Sequence, residues 1–221
     1  MNASPQQIDL QKSPAGDVDA LWLALVEDFL AHAKSTPDRL SALLAAEPEH
    51  FMGWCAKGFF AVLLARCELR IGAEAALAKL EGIARLRGAS RLQRVYVYAL
   101  REAVDGEFDR SIAYLDAIVE ADPNDSFATK LAHALRFMRG DTRGMQRSID
   151  LVIKRCDQTH PHLGYLLGCQ AFALEETGQY ADAERAGREG VLRAPRDAWG
   201  VHAVAHVHEM KGQSRIGIDR L

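Results

Sequence analysis

One pattern constrains this chain more than any other: a small residue, a glycine and a proline return at fixed distances along it. Counting from Leu92, Ala99 is eighth, Gly106 fifteenth, Phe108 seventeenth, Ser111 twentieth, Ile118 twenty-seventh and Pro123 thirty-second. A second unit opens at Ser126, with Gly140 fifteenth and Met145 and Ile149 beyond it. A third opens at Gly164 and places Ala171, Gly178, Tyr180, Ala183 and Pro195 at the same intervals. A fourth opens at Ala198, with Ala205 and Gly212 in register. Leu92 and Ser126 are 34 residues apart, as are Gly164 and Ala198, whereas Ser126 and Gly164 are 38 apart because the stretch around Asp157–Pro161 is longer.

Each recurring residue has a physical task. Alanine at the eighth place lets two helices approach closely, and glycine at the fifteenth supplies the left-handed residue that ends a helix. Proline at the thirty-second place stops the second helix, and Asn124-Asp125 or Arg196-Asp197 can cap the next. A period of 34 with these features resembles the tetratricopeptide repeat. The expected fold is all-α, a right-handed superhelical solenoid of tetratricopeptide-like helix pairs over residues 17–221, preceded by a disordered segment, 1–16. Trp54 and Gly58 hold the fourth and eighth places of a degenerate unit opening at Phe51, whose helices are stretched over the 41 residues to Leu92. Asp17 to Ala46 supplies a further helix pair ending at Pro48.

Composition narrows the function. With 27 basic and 30 acidic residues, a net charge of −3 carries no basic excess of the kind nucleic-acid binding needs. The first sixteen residues lack an apolar core for a signal peptide, and Leu21–Val26 and Phe59–Ala65 are too short to span a bilayer. Cys55, Cys67, Cys156 and Cys169 form no CxxC pair, which fits reduced thiols in a cytoplasmic protein. No nucleic-acid or membrane partner is expected. Phosphate-binding and nucleophile-elbow motifs are absent from the sequence.

In tetratricopeptide arrays the first helices line a concave groove, and their places 2, 5, 9 and 12 share the face that points into it. These places put Tyr96, Phe127, Lys130, Tyr165, Phe172, Glu175, Trp199, His202, His206 and Glu209 in the groove. It reads as aromatic along most of its length and rich in His and Glu at its C-terminal end. Such a surface suits a peptide, a protein segment or a small molecule with an apolar body and a polar head. His202, His206 and Glu209 lie on one face of the helix 198–211 and admit three readings. They could chelate a divalent metal, act with Glu175 as an acid–base unit, or simply line the groove. His208 points elsewhere and reads as a surface histidine. His160-Pro161-His162 reads as turn punctuation, and Arg85, Arg87, Arg91 and Arg94 as a solvated helix end.

The stretch Gly164–Gly217 carries a more specific likeness. Ala171-Phe172, Leu174-Glu175-Glu176, Gly178, Tyr180 and Ala183-Glu184, followed by Asp197-Ala198-Trp199, His202 to His206, Glu209-Met210 and Gly212, resemble the tetratricopeptide repeat protein 38 family. The likeness is looser back to about Trp54. Members of that family continue with a segment rich in His, Asn and Trp. If that segment completes a site, this chain holds part of it. Two functions follow as expectations: a binding or scaffold protein with its ligand in the groove, or a hydrolase-type enzyme, metal-dependent or not, using His202, His206, Glu209 and Glu175. Ile216, Ile218 and Leu221 begin an apolar helix without a polar cap, so either association through that end, most simply as a two-fold dimer, or disorder with a tendency to aggregate is expected.

Overall fold

The computed structural model describes residues 14–213 and 215. Every element among them is helical, with no strand. The order is α1 (Pro14–Leu30), α2 (Thr36–Ala46), α3 (Phe51–Leu63), α4 (Arg70–Arg87), α5 (Arg91–Val104), α6 (Phe108–Ala121), α7 (Ser126–Met138), α8 (Thr142–Arg155), α9 (Leu163–Glu176), α10 (Tyr180–Arg193) and α11 (Ala198–Met210). The stretch in the degenerate unit opening at Phe51 is explained by α4, which is 18 residues long and follows a short 3-10 turn at Cys67–Leu69. Helix α1 begins at Pro14, three residues ahead of the expected boundary; proline suits a first turn because the N–H it lacks would have no helical partner. Residues 1–13 lie outside the described residues, as do Ile216, Ile218 and Leu221, on which the expected dimer contact rests.

The turn within each pair is the same device repeated. Gly106, Gly140, Gly178 and Gly212 all have positive φ, between 67° and 83°. After each, an N–H reaches back to close the helix end, as from Glu107 to the Glu102 carbonyl and from Gln179 to the Leu174 carbonyl. This is the Schellman closure, and the left-handed residue is its requirement. The first pairs make the turn without glycine: His32 (φ 54°) and Ala65 (φ 51°) occupy the equivalent positions, and Ala33 N–H bonds the Asp28 carbonyl. The caps also follow the sequence. Asp125 accepts from Ala128 N–H, Asp197 from Trp199 and Gly200 N–H, and Ser90 forms a capping box with Gln93.

Successive helices pack as neighbours in series from α3 to α11. Ala99 and Ala171 are fully buried at the eighth place, and the Ser111 hydroxyl donates to the Ala99 carbonyl at 2.8 Å. Gly58 serves the same purpose in α3, since a Cβ there would come within 2.7 Å of Leu100 Cδ2 on α5. Ala205, whose expected partner helix lies outside the described residues, is only partly buried.

The N-terminal pair departs from this order. Helix α1 packs on α2 and then reaches α7. Its Trp22 and Phe29 meet Phe127 of α7 at 5.2 and 5.7 Å between ring centroids, and Phe29 also meets Phe60 of α3 at 4.7 Å. Glu27 and Asp28 extend the contact to the far end of the chain, where Arg196 bonds Asp28 at 2.6 Å and Tyr165 lies 3.3 Å from Glu27. The face of the first helices is therefore covered by the chain itself. Phe127, expected to line an open groove, is 3% exposed. Truncating it would leave a void shared by α1, α3, α5 and α7. Phe127→Ala is expected to lower stability by about 3–5 kcal/mol, measured by urea denaturation; a loss below about 1 kcal/mol would contradict this packing.

Candidate functional site

Where α1 turns into α2 it no longer touches α7, and a cavity of about 510 Å3 remains. Its walls come from four places: Phe29, His32 and Pro37 around the α1–α2 turn, Phe60 and Leu63 of α3, Phe137 of α7, and Trp199 at the start of α11. The lining is mainly apolar, which suits a small-molecule site. Two polar side chains from α7, Lys130 and His133, also line it, and both are nearly inaccessible to solvent at 3% and 5% exposure. They stand three residues apart, so the helix presents them on one face.

Lys130 lacks the partner that a buried ammonium ordinarily requires. Its Nζ donates to Cys169 Sγ at 3.5 Å, a weak acceptor, and lies 5.2 Å over the Trp199 ring. No carboxylate among the described residues forms an ion pair with it. Asp197 feels its charge from further off. Burial pushes the Asp197 carboxyl up to about 6, with Lys130 and the N–H groups of Trp199 and Gly200 pulling the other way. His133 Nε2 has no hydrogen-bond partner among the described residues. Burial, with the Lys130 and Arg136 charges behind it, brings the His133 imidazole down to about 3, so the ring is neutral at physiological pH. The cavity thus joins a mainly apolar chamber to a buried cation without an ion-pair partner and a neutral buried imidazole, with the exposed Lys34 and His32 at the α1–α2 turn.

Trp199 links this chamber to the His-rich end. His32 stacks on Trp199 at 4.8 Å and 16°, His202 stacks on the same indole at 5.5 Å and 23°, and His206 follows at 4.3 Å from His202. His206 Nδ1 lies 3.7 Å from Glu175 Oε1, outside good hydrogen-bond distance, and Glu175 Oε2 is buried without a partner among the described residues. Burial and then Glu176 raise the Glu175 carboxyl, against the pull of His206. Burial lowers both His202 and His32, the latter to about 4. His206 is half exposed, so this end of the histidine column is partly open to solvent.

The expected site residues therefore separate. Lys130, Phe172, Trp199, His202, His206 and Glu175 form one connected set around Trp199. Tyr96, Phe127 and Tyr165 belong to the packed core with α1, and the Tyr96 hydroxyl donates to Asp125 at 2.7 Å. Glu209 is exposed, and no three His, Cys, Asp or Glu side chains among the described residues come together as a metal site, so the His202–His206–Glu209 trio is not assembled. His208 is corrected: it is 2% exposed and lies against α10, with Arg188 at 3.3 Å, because it faces the preceding helix rather than solvent. His162 likewise does more than mark a turn, since its Nδ1 is 2.7 Å from Ser126 Oγ. Two cavity residues escaped sequence reasoning. His133 stands at the eighth place of its unit, where its neighbours carry alanine, and that substitution was the available signal. His32 stands at a turn position that elsewhere holds glycine. No family model matches the sequence.

The sign of the His133 titration is testable. Its folded pKa lies below the ordinary value of 6.5, so on acidification the unfolded chain takes up a proton that the folded chain refuses. Stability therefore falls as pH drops from 6.5 towards 3, by up to about 1.4 kcal/mol per pH unit from this group. Asp197 acts in the opposite sense between about 6 and 3.8, so the His133 contribution is isolated by comparison. His133→Gln should flatten the stability–pH slope between pH 6.5 and 5 by up to one proton, measured by urea denaturation at several pH values. An unchanged slope would place His133 in contact with solvent.

Proposed function

We propose that the chain is a tetratricopeptide-like helical-repeat binding protein of the cytoplasm that holds a small ligand in the cavity between α1, α3, α7 and α11. The observation that carries this reading is the chamber itself: about 510 Å3, largely apolar, with Lys130 and His133 in its wall. Its volume falls within the range of small-molecule sites. The 34-residue period and the repeated left-handed turns support assignment to tetratricopeptide-type repeats in a right-handed superhelix, and the resemblance of residues 164–217 to the tetratricopeptide repeat protein 38 family is part of the same proposal. Four free cysteines, three of them buried, suit a reducing compartment. A small ligand is preferred to an extended peptide because α1 already lies where a peptide would run. A peptide along the first helices would have to displace Trp22 and Phe29 from Phe127.

The uncharged fluorescent probe N-phenyl-1-naphthylamine tests this reading. It should bind one per chain with a rise in emission. Ala134→Phe, which adds a ring to the cavity wall, should weaken binding at least about tenfold while the fold is retained. Binding that ignores Ala134→Phe would move the ligand elsewhere.

A further inference from the structure

Lys130 is the feature of the cavity that packing alone does not explain. A lysine ammonium has three N–H donors. One is directed at Cys169 Sγ, and the aromatic face of Trp199 is nearby. The carboxylate that acts on it through space, Asp197, has both oxygens engaged: Oδ1 with Trp199 N–H and Oδ2 with Gly200 N–H. Donors of a buried cation therefore remain for something inside the chamber. His133 adds a second polar group whose Nε2 has no partner among the described residues, on the same face of α7. The rest of the wall is mainly apolar and rich in rings, with Phe29, Phe60, Phe137 and Trp199 around it, and its other polar members, His32, Lys34 and Thr36, sit around the α1–α2 turn. A charged head beside α7 and an apolar body against those rings would satisfy both halves of the site.

From this arrangement, and resting on the binding reading above, we infer that the ligand is a small organic carboxylate with an apolar, preferably aromatic, body, its head group seated on Lys130 and His133. The carboxylate accepts from Lys130 Nζ in a charge-assisted hydrogen bond, the strongest kind available to a neutral-pH ligand. The neutral His133 ring has one N–H, and in the tautomer that places it towards the chamber it donates to the second oxygen. A cationic ligand would meet Lys130 with no compensating acid in the wall, since the residues lining the cavity include no Asp or Glu. A phosphate dianion would bring more charge than the one buried ammonium answers, since Lys34, the other lysine of the wall, is exposed. Lys130 is the buried cation of the wall, and one carboxylate matches it.

The pair 2-naphthoate and 2-naphthamide tests the inference, because the two differ in charge and hardly in shape. Titration of the full chain at pH 7 by calorimetry should show naphthoate binding tighter than naphthamide by roughly ten- to a hundredfold, the range of a hydrogen bond to a charged group. Lys130→Met should remove that preference, the two compounds then binding within about threefold of one another. The variant deletes an unpaired buried charge, so folding should survive it; should it not, the preference of the parent protein between the two compounds still decides the matter. If both compounds bind equally to the parent, the carboxylate assignment is overturned while the cavity reading stands. If neither binds, both are overturned. If naphthoate keeps its advantage in Lys130→Met, the anion is held by another group and the inference is wrong.

Discussion

Asp28 is a carboxylate with 1% exposure that joins near and far donors: Ser35 at 2.6 Å and Arg39 at 3.2 Å from the start of the next helix, and Arg196 at 2.6 Å from the distant loop before α11. Burial alone would raise its pKa, yet these donors outweigh burial and hold the carboxyl below its ordinary value of 3.8. The sign is stabilising above that value, with the contribution lost only as pH falls below it. Helix α1 is thereby fastened to the loop before α11, and the turn that follows α1 meets α11 through His32 on Trp199. A repeat array held only by adjacent contacts would leave its first helices facing solvent. Here the Asp28–Arg196 contact, together with Trp22 and Phe29 on Phe127, covers them instead.

The cavity is a consequence of that latch. Because α1 ends at Leu30 and the chain turns through His32, its cover stops short of Lys130 and His133. The enclosed volume takes its walls from helices far apart in sequence. Two groups left in those walls work against stability: an ammonium whose direct contacts are a thiol and a ring face, and an imidazole with an unpaired nitrogen. Buried polar groups of this kind are destabilising unless something completes them. Departures from local packing rules tend to gather at functional sites. Trp199 also carries the His202–His206 column, so occupancy of the chamber and the state of those histidines share one side chain.

The helical array was legible in sequence because its signals are local. Gly106, Gly140, Gly178 and Gly212 mark turns through a backbone requirement that no distant contact can change, and Asp125 and Asp197 cap helices that begin one residue later. The covered face was not legible. Trp22 and Phe29 follow an ordinary amphipathic pattern, and nothing local tells whether they pack beside α3 or across α7. That choice rests on Arg196, 168 residues from Asp28. The same gap explains the mixed outcome for the groove. The helical spacing places Lys130, Phe172, Trp199 and His202 on one face and they lie together around Trp199, while Phe127 and Tyr165 obey the same spacing and are packed against α1. Glu209 shares the arc of His206 in helical projection but extends into solvent.

Backbone amide hydrogen exchange in α1 tests the central claim most directly. If the helix is latched across the first-helix face, amides from Leu21 to Leu30 should exchange only through global unfolding, as slowly as those of α7 and α9. Arg196→Ala should accelerate α1 selectively. Rapid exchange throughout α1 in the parent protein, with α7 and α9 still protected, would show an open face and contradict the latch.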